Sequence, residues 1–121
     1  KGVLLVEPYK GEILPHWRFK TPDIAKESSE KIMELFEEYR KQDDFVGMDM
    51  ARKFIQMGYT RARRYTNYKG GRKYNEDGST KERDIDPVKA KSAAIFKKKW
   101  DQIRQDKDYL KRKKKHQKEF G

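Results

Sequence analysis

The 121-residue chain has no cysteine. That excludes disulfides, thiolate nucleophiles and cysteine-ligated zinc, and it is compatible with a reducing compartment. No apolar run approaches the roughly 18 residues of a membrane span, so no membrane partner is expected and the chain reads as intracellular. Histidine is scarce. His16 and His116 lie near opposite ends without a second imidazole or a carboxylate at ligand spacing, and both read as surface or packing residues. Ser28 and Ser29 fall inside a helical pattern with no histidine nearby, which gives a catalytic triad no support. The pairs Asp43-Asp44 and Asp84 with Asp86 could chelate magnesium, as nuclease carboxylates do. Cap and turn roles explain both pairs without a metal. The expectation is a non-catalytic protein that needs no cofactor and no metal. Apolar residues are also few, 34% against 42% charged, so the core must be small. Trp17, Phe36, Phe45, Phe54, Phe96 and Trp100 are large enough to anchor it.

The acids are unevenly spread. Residues 1–58 carry 10 Lys/Arg and 11 Asp/Glu, whereas residues 59–121 carry 21 and 9, so the whole +11 excess lies in the C-terminal half. A binding surface there explains the asymmetry, and a solvated lysine-rich surface is the bland alternative. Within 59–74 there is no acid at all. That stretch holds six cations (Arg61, Arg63, Arg64, Lys69, Arg72, Lys73) and four tyrosines (Tyr59, Tyr65, Tyr68, Tyr74) around Gly70-Gly71. Guanidinium forks pair with phosphates, tyrosines stack or donate hydrogen bonds, and glycines admit close backbone approach. The glycine pair lacks the spacing and the Gly-Lys-Ser/Thr ending of a phosphate-binding P-loop.

Local signals predict a mainly α fold, a small domain of four to five helices with an extended N-terminal segment and a basic loop. Residues 1–20 read as an extended arm, broken by Pro8, Gly11 and Pro15, that either wraps over the helices or docks on a partner. Residues 21–110 read as the helical domain. Thr21-Pro22-Asp23 starts a helix to about Lys41, with Ile24, Ser28, Ile32, Leu35, Phe36 and Tyr39 inward. Asp43 or Asp44 caps a second helix that ends near Met57, with Gly58 at its C′ position. Thr60 caps a short third helix to about Asn67, with Ala62 and Tyr65 inward and Arg61, Arg63 and Arg64 outward. That is the outline of a helix-turn-helix, although the small and aliphatic residues usual in that motif are only partly present. A surface loop follows, with a brief hairpin about Asp77-Gly78. Asp86-Pro87 opens a helix whose apolar side runs through Val88, Ser92, Ile95, Phe96, Trp100 and Ile103. A last helix starts at Asp106 to Asp108. Residues 111–121 form a basic tail with five consecutive cations, Lys111, Arg112, Lys113, Lys114 and Lys115, read as a solvated end or an arm that orders on a polyanion.

Two stretches carry a resemblance together. The first is 2–22, which contains Ile13-Leu-Pro-His-Trp-Arg-Phe19. The second is 43–65, which ends in Met57-Gly-Tyr-Thr-Arg-Ala-Arg-Arg-Tyr65. With Asp86-Pro-Val-Lys-Ala90 and the ending Leu110 to Gly121, nearly the whole chain resembles the family catalogued as domain of unknown function 4385, whose members occur in fungi, algae and large tailed phages. The resemblance implies no catalytic residues to carry over. It implies that the basic-aromatic run belongs to a shared design, and that further residues precede Lys1 in a longer chain.

The expected function is a non-catalytic nucleic-acid-binding module. Its surface is Arg61, Arg63, Arg64, Tyr65, Tyr68, Lys69, Arg72, Lys73 and Tyr74, together with Lys111, Arg112, Lys113, Lys114 and Lys115. RNA, ribosomal RNA included, is favoured over duplex DNA, because cations in turns and short helices beside tyrosines suit irregular backbone and unstacked bases. The alternative is a structural or interaction subunit of a large assembly or a phage particle, with the Trp17/Phe19 arm bound to a neighbour.

Overall fold

The computed structural model describes residues 7–67, 76–79 and 86–120. Among these there are five α-helices and no strand: α1 Tyr9–Ile13, α2 Pro22–Lys41, α3 Phe45–Asn67, α4 Pro87–Arg104 and α5 Lys107–Phe120, with a 3-10 turn over Leu14–His16 after α1. The protein is therefore the small all-α domain that its periodicity predicts.

Four helices start where a short polar side chain can accept from free amides. Thr21 Oγ1 accepts from the Ile24 N–H at 3.3 Å and starts α2 with Pro22 in its first turn. Asp86 Oδ1 does the same for α4, at 2.9 Å from the Val88 N–H. Asp106 Oδ1 accepts from the Tyr109 N–H at 2.9 Å at the start of α5. The turn from α2 to α3 is tighter. Asp43 sits in the left-handed region at φ 56. Its N–H donates to the Arg40 carbonyl at 3.0 Å, and the Asp44 N–H donates to that of Tyr39 at 2.8 Å, which is a Schellman ending. Asp44 then caps α3, accepting from the Gly47 N–H at 3.0 Å, and takes the Tyr9 hydroxyl at 2.8 Å.

α2, α3 and α4 pack together around Ile32, Phe36, Met48, Ala51, Phe54, Ile55 and Phe96, all fully buried. α1 adds Ile13, and α5 adds Tyr109, whose hydroxyl donates to Asp49 at 2.8 Å. Burying this hydroxyl against a carboxylate pushes its pKa up to about 12, burial being the larger cause.

The structure corrects several expectations. Residues 9–16 are helical, not extended; residues 17–20 after the 3-10 turn are irregular and lie against α3 and α4. Of the two expectations for Trp17 and Phe19, wrapping over the helices holds and the free arm does not: Trp17 Nε1 donates to the Phe54 carbonyl at 2.8 Å, and Phe19 meets Phe96 edge-on. α3 does not stop near Met57. It runs unbroken through Gly58 to Asn67, which removes the turn that a helix-turn-helix requires. Gly58 has a packing reason instead: a Cβ there would lie 2.7 Å from the Phe96 ring, so its absence lets α3 and α4 approach. On the last turns of α3 Ala62 and Thr66 are buried, whereas Tyr65 is 42% exposed. Val88, expected inward on α4, is exposed in its first turn.

Candidate nucleic-acid interface

The C-terminal part of α3, the start of α4 and the irregular segment 17–20 enclose an open groove of about 430 Å³. Its floor is aromatic. Trp17 packs edge-on against Phe19 at 5.4 Å and Phe54 at 5.5 Å between ring centres, and Tyr65 exposes its ring from α3. Its lips are cationic: Arg18 and Lys20 on the irregular segment, Arg61 on α3 and Lys89 on α4. Among the described residues no carboxylate lines it, and none is paired with these four cations.

Two of the cations are held in place. The Arg61 guanidinium lies over the Trp17 ring at 5.1 Å, a cation–π contact that restrains its plane. Lys89 Nζ donates to the Lys20 carbonyl at 2.7 Å, which ties the irregular segment to α4 and fixes an ammonium at the groove mouth. The Asp86 N–H donates to the Thr66 carbonyl at 2.9 Å, so the end of α3 and the cap of α4 are joined directly.

The expected site residues therefore divide. Arg61 and Tyr65 lie in the groove, one helical turn apart on one face. Arg64 is exposed and Arg63 half-buried on α3 outside the groove lining. Arg64, in the last turn, also offsets the negative end of the helix dipole. Tyr59, part of the same basic-aromatic run, faces α4 and packs against Trp100 at 5.8 Å. Tyr68, Lys69, Arg72, Lys73 and Tyr74 lie outside the described residues, as do Asp84 and the flanks of the expected hairpin. Of that hairpin, Glu76 to Ser79 form a turn with Gly78 at φ 87.

The run Lys111 to Lys115 lies on α5, where consecutive side chains point around the axis. Arg112 has intramolecular partners: its Nε donates to Asp108 at 2.9 Å and its Nη1 to Asp43. Asp108, then Asp43, raises its pKa above the usual value. Arg112 thus pins α5 to the α2–α3 turn. Lys111, Lys114 and Lys115 are exposed and Lys113 is half-buried.

Sequence reasoning does not single out Arg18, Lys20 and Lys89 as site residues, and it takes Trp17 and Phe19 as core or arm. A signal for the segment before α2 exists nonetheless. Trp17-Arg-Phe-Lys20 alternates aromatics with cations without an acid, the same composition that marks 59–74.

A larger hollow of about 900 Å³ lies over α2, but Asp23, Glu27, Glu30 and Glu34 stand among its cations, which makes it a poor phosphate site. No group of three or more His, Asp or Glu side chains that could hold a metal ion occurs among the described residues. Among them no helix is long and apolar enough to cross a membrane.

Among known families, the model described as Domain of unknown function (DUF4385) matches residues 1–119. No curated protein and no solved structure matches the chain.

Proposed function

The chain belongs to the DUF4385 family, and from the chemistry of its surface we propose that it is a non-catalytic nucleic-acid-binding module that favours RNA over duplex DNA. The observation that carries this reading is the groove at the end of α3, which combines four cations, an exposed tyrosine and an aromatic floor, with no carboxylate among its described residues. Phosphates are recognised by such cations, and bases or sugars by such rings. RNA is favoured because unstacked bases, which an aromatic-lined groove accepts, are abundant in folded RNA and hidden in duplex DNA. The concentration of positive charge in the C-terminal half supports the same reading through long-range attraction.

The test is binding of the full chain to labelled single-stranded RNA and to duplex DNA across a salt series. Arg61→Ala with Arg64→Ala should weaken binding by on the order of 1–3 kcal/mol for each charge-assisted hydrogen bond removed. Unchanged affinity in a folded double variant refutes the proposed surface. Metal-dependent turnover of the oligomer would replace the non-catalytic reading with an enzymatic one. A second reading, a structural subunit of a larger assembly, draws on Leu110 and Phe120, which α5 leaves 44% and 74% exposed. It predicts no salt-sensitive binding to either oligomer.

A further inference from the structure

We infer that the groove is a pocket for one unpaired nucleotide of an RNA strand, its base against Tyr65 and its phosphate between Arg61 and Lys89. This rests on the nucleic-acid reading above and narrows it to a ligand and a stoichiometry.

The rings of the groove are not equivalent. Trp17 has Arg61 over one face and its edges against Phe19 and Phe54. Phe19 is turned toward Phe96. These two rings are committed to the fold and form the floor. Tyr65 is different. Its ring is 42% exposed, and among the described residues no ring or guanidinium stacks on it. One uncommitted ring offers one stacking platform, hence one base. The volume, about 430 Å³, falls in the range of roughly 300–1,000 Å³ in which small ligands and cofactor-sized groups are held.

The cations suit a phosphate beside that base. Arg61 precedes Tyr65 by one turn on the same face of α3, so an anion on its guanidinium lies next to the ring. Stacking on Trp17 restrains the guanidinium and lowers the entropy cost when its N–H edge engages an oxygen. The Lys89 ammonium has three protons, and one goes to the Lys20 carbonyl. The other two remain for a phosphate oxygen at the opposite lip. Lys20 and Arg18, both exposed, continue the positive rim along which a strand would leave. A duplex keeps its bases stacked and paired, so it presents phosphates to these lips but no ring to Tyr65.

The test uses the full chain, a labelled single-stranded RNA oligomer, the same strand annealed to its complement, and single-stranded DNA of the same sequence. Tyr65→Ala should weaken single-strand RNA binding by about 5- to 150-fold, the effect of removing one base-stacking ring. Tyr65→Phe should keep affinity within about twofold, because the stacking face is retained. Duplex binding should not change in either variant. The slope of log K against log salt should stay the same in Tyr65→Ala and fall by about 0.7 in Arg61→Gln, because only the second removes a phosphate partner. Equal losses for single strand and duplex, or no loss in Tyr65→Ala, overturn the nucleotide pocket while leaving general nucleic-acid binding intact. Single-stranded DNA bound as tightly, with the same dependence on Tyr65, overturns the assignment to RNA. Absence of salt-dependent binding to all three oligomers overturns both readings. A circular dichroism melt of each variant shows that it is folded, since Tyr65 contributes little to the core.

Discussion

Gly58→Ala sets two known effects against each other at one position. Inside a helix, alanine is better than glycine by about 1 kcal/mol, so an unobstructed site would be stabilised. At Gly58 the added methyl would lie 2.7 Å from two carbons of the Phe96 ring, well inside contact distance. Phe96 is fully buried between α3 and α4 and has Phe19 edge-on, so the ring has no open side to move into. Overpacking of this kind costs about 1–3 kcal/mol. The net expectation is destabilisation by up to about 2 kcal/mol, or a fall in Tm on the order of 4 °C per kcal/mol for a domain of this size. Urea denaturation followed by circular dichroism measures it. The control is the same substitution in a Phe96→Leu background, where the ring is gone. There Gly58→Ala should be neutral or stabilising, giving a coupling energy of about 1–3 kcal/mol between two sites in contact. If Gly58→Ala stabilises the parent by about 1 kcal/mol, α3 and α4 do not approach as closely as described, and the continuous α3 loses its packing rationale.

Three further outcomes are expected. Arg40 holds the Asp106 carboxyl below its usual pKa through a hydrogen bond, so this pair adds stability that is complete above about pH 4 and lost as pH falls through the lowered value; acid titration of Asp106→Asn should show a shallower low-pH loss than the parent. The Tyr9 and Tyr109 hydroxyls, each pushed up to about 12, keep their protons when an unfolded tyrosine loses its own at about 10. Stability should therefore fall between about pH 10 and 12, and Tyr109→Phe should reduce that fall in alkaline melts. Replacing Lys111, Lys114 and Lys115 with glutamine should flatten the salt slope of RNA binding by at most about 0.7 per phosphate no longer engaged, for all sequences alike; a changed sequence preference with an intact slope would show that α5 reads bases.

The helix starts are legible in the sequence because their signals are local. Thr21-Pro22 and Asp86-Pro87 each combine an acceptor with a proline within two residues. The end of the second helix is not legible, because a glycine after an apolar face carries two meanings. It can terminate a helix, or it can admit a neighbouring ring, and Phe96 lies too far along the chain for a local pattern to reveal it. The site is half legible for the same reason. Arg61 and Tyr65 stand out by composition, whereas Lys89 and Lys20 reach the groove only through packing and a backbone carbonyl. Arg112 reads as one cation in a run of five. Its Asp108 partner, one turn before it, is visible in the spacing, but Asp43 is not.

The pinning of α5 has a consequence for how the molecule opens. Besides Tyr109, this helix is held by pairs of Arg40 with Asp106 and Asp108, by that of Arg112 with Asp43 and by His116, whose ring lies 5.1 Å from that of Phe45. The Arg112 pairs, whose Asp43 and Asp108 partners are open to solvent, contribute little each and are screened by salt, whereas the packed α2–α4 core is not. α5 is thus expected to open at a lower free energy than the three-helix core. In native-state hydrogen exchange its amides should exchange first, and raising salt should speed them selectively. A polyanion bound to Lys111, Lys114 and Lys115 would act as a wedge or a clasp on this helix, according to whether it also draws Arg112 away from Asp43.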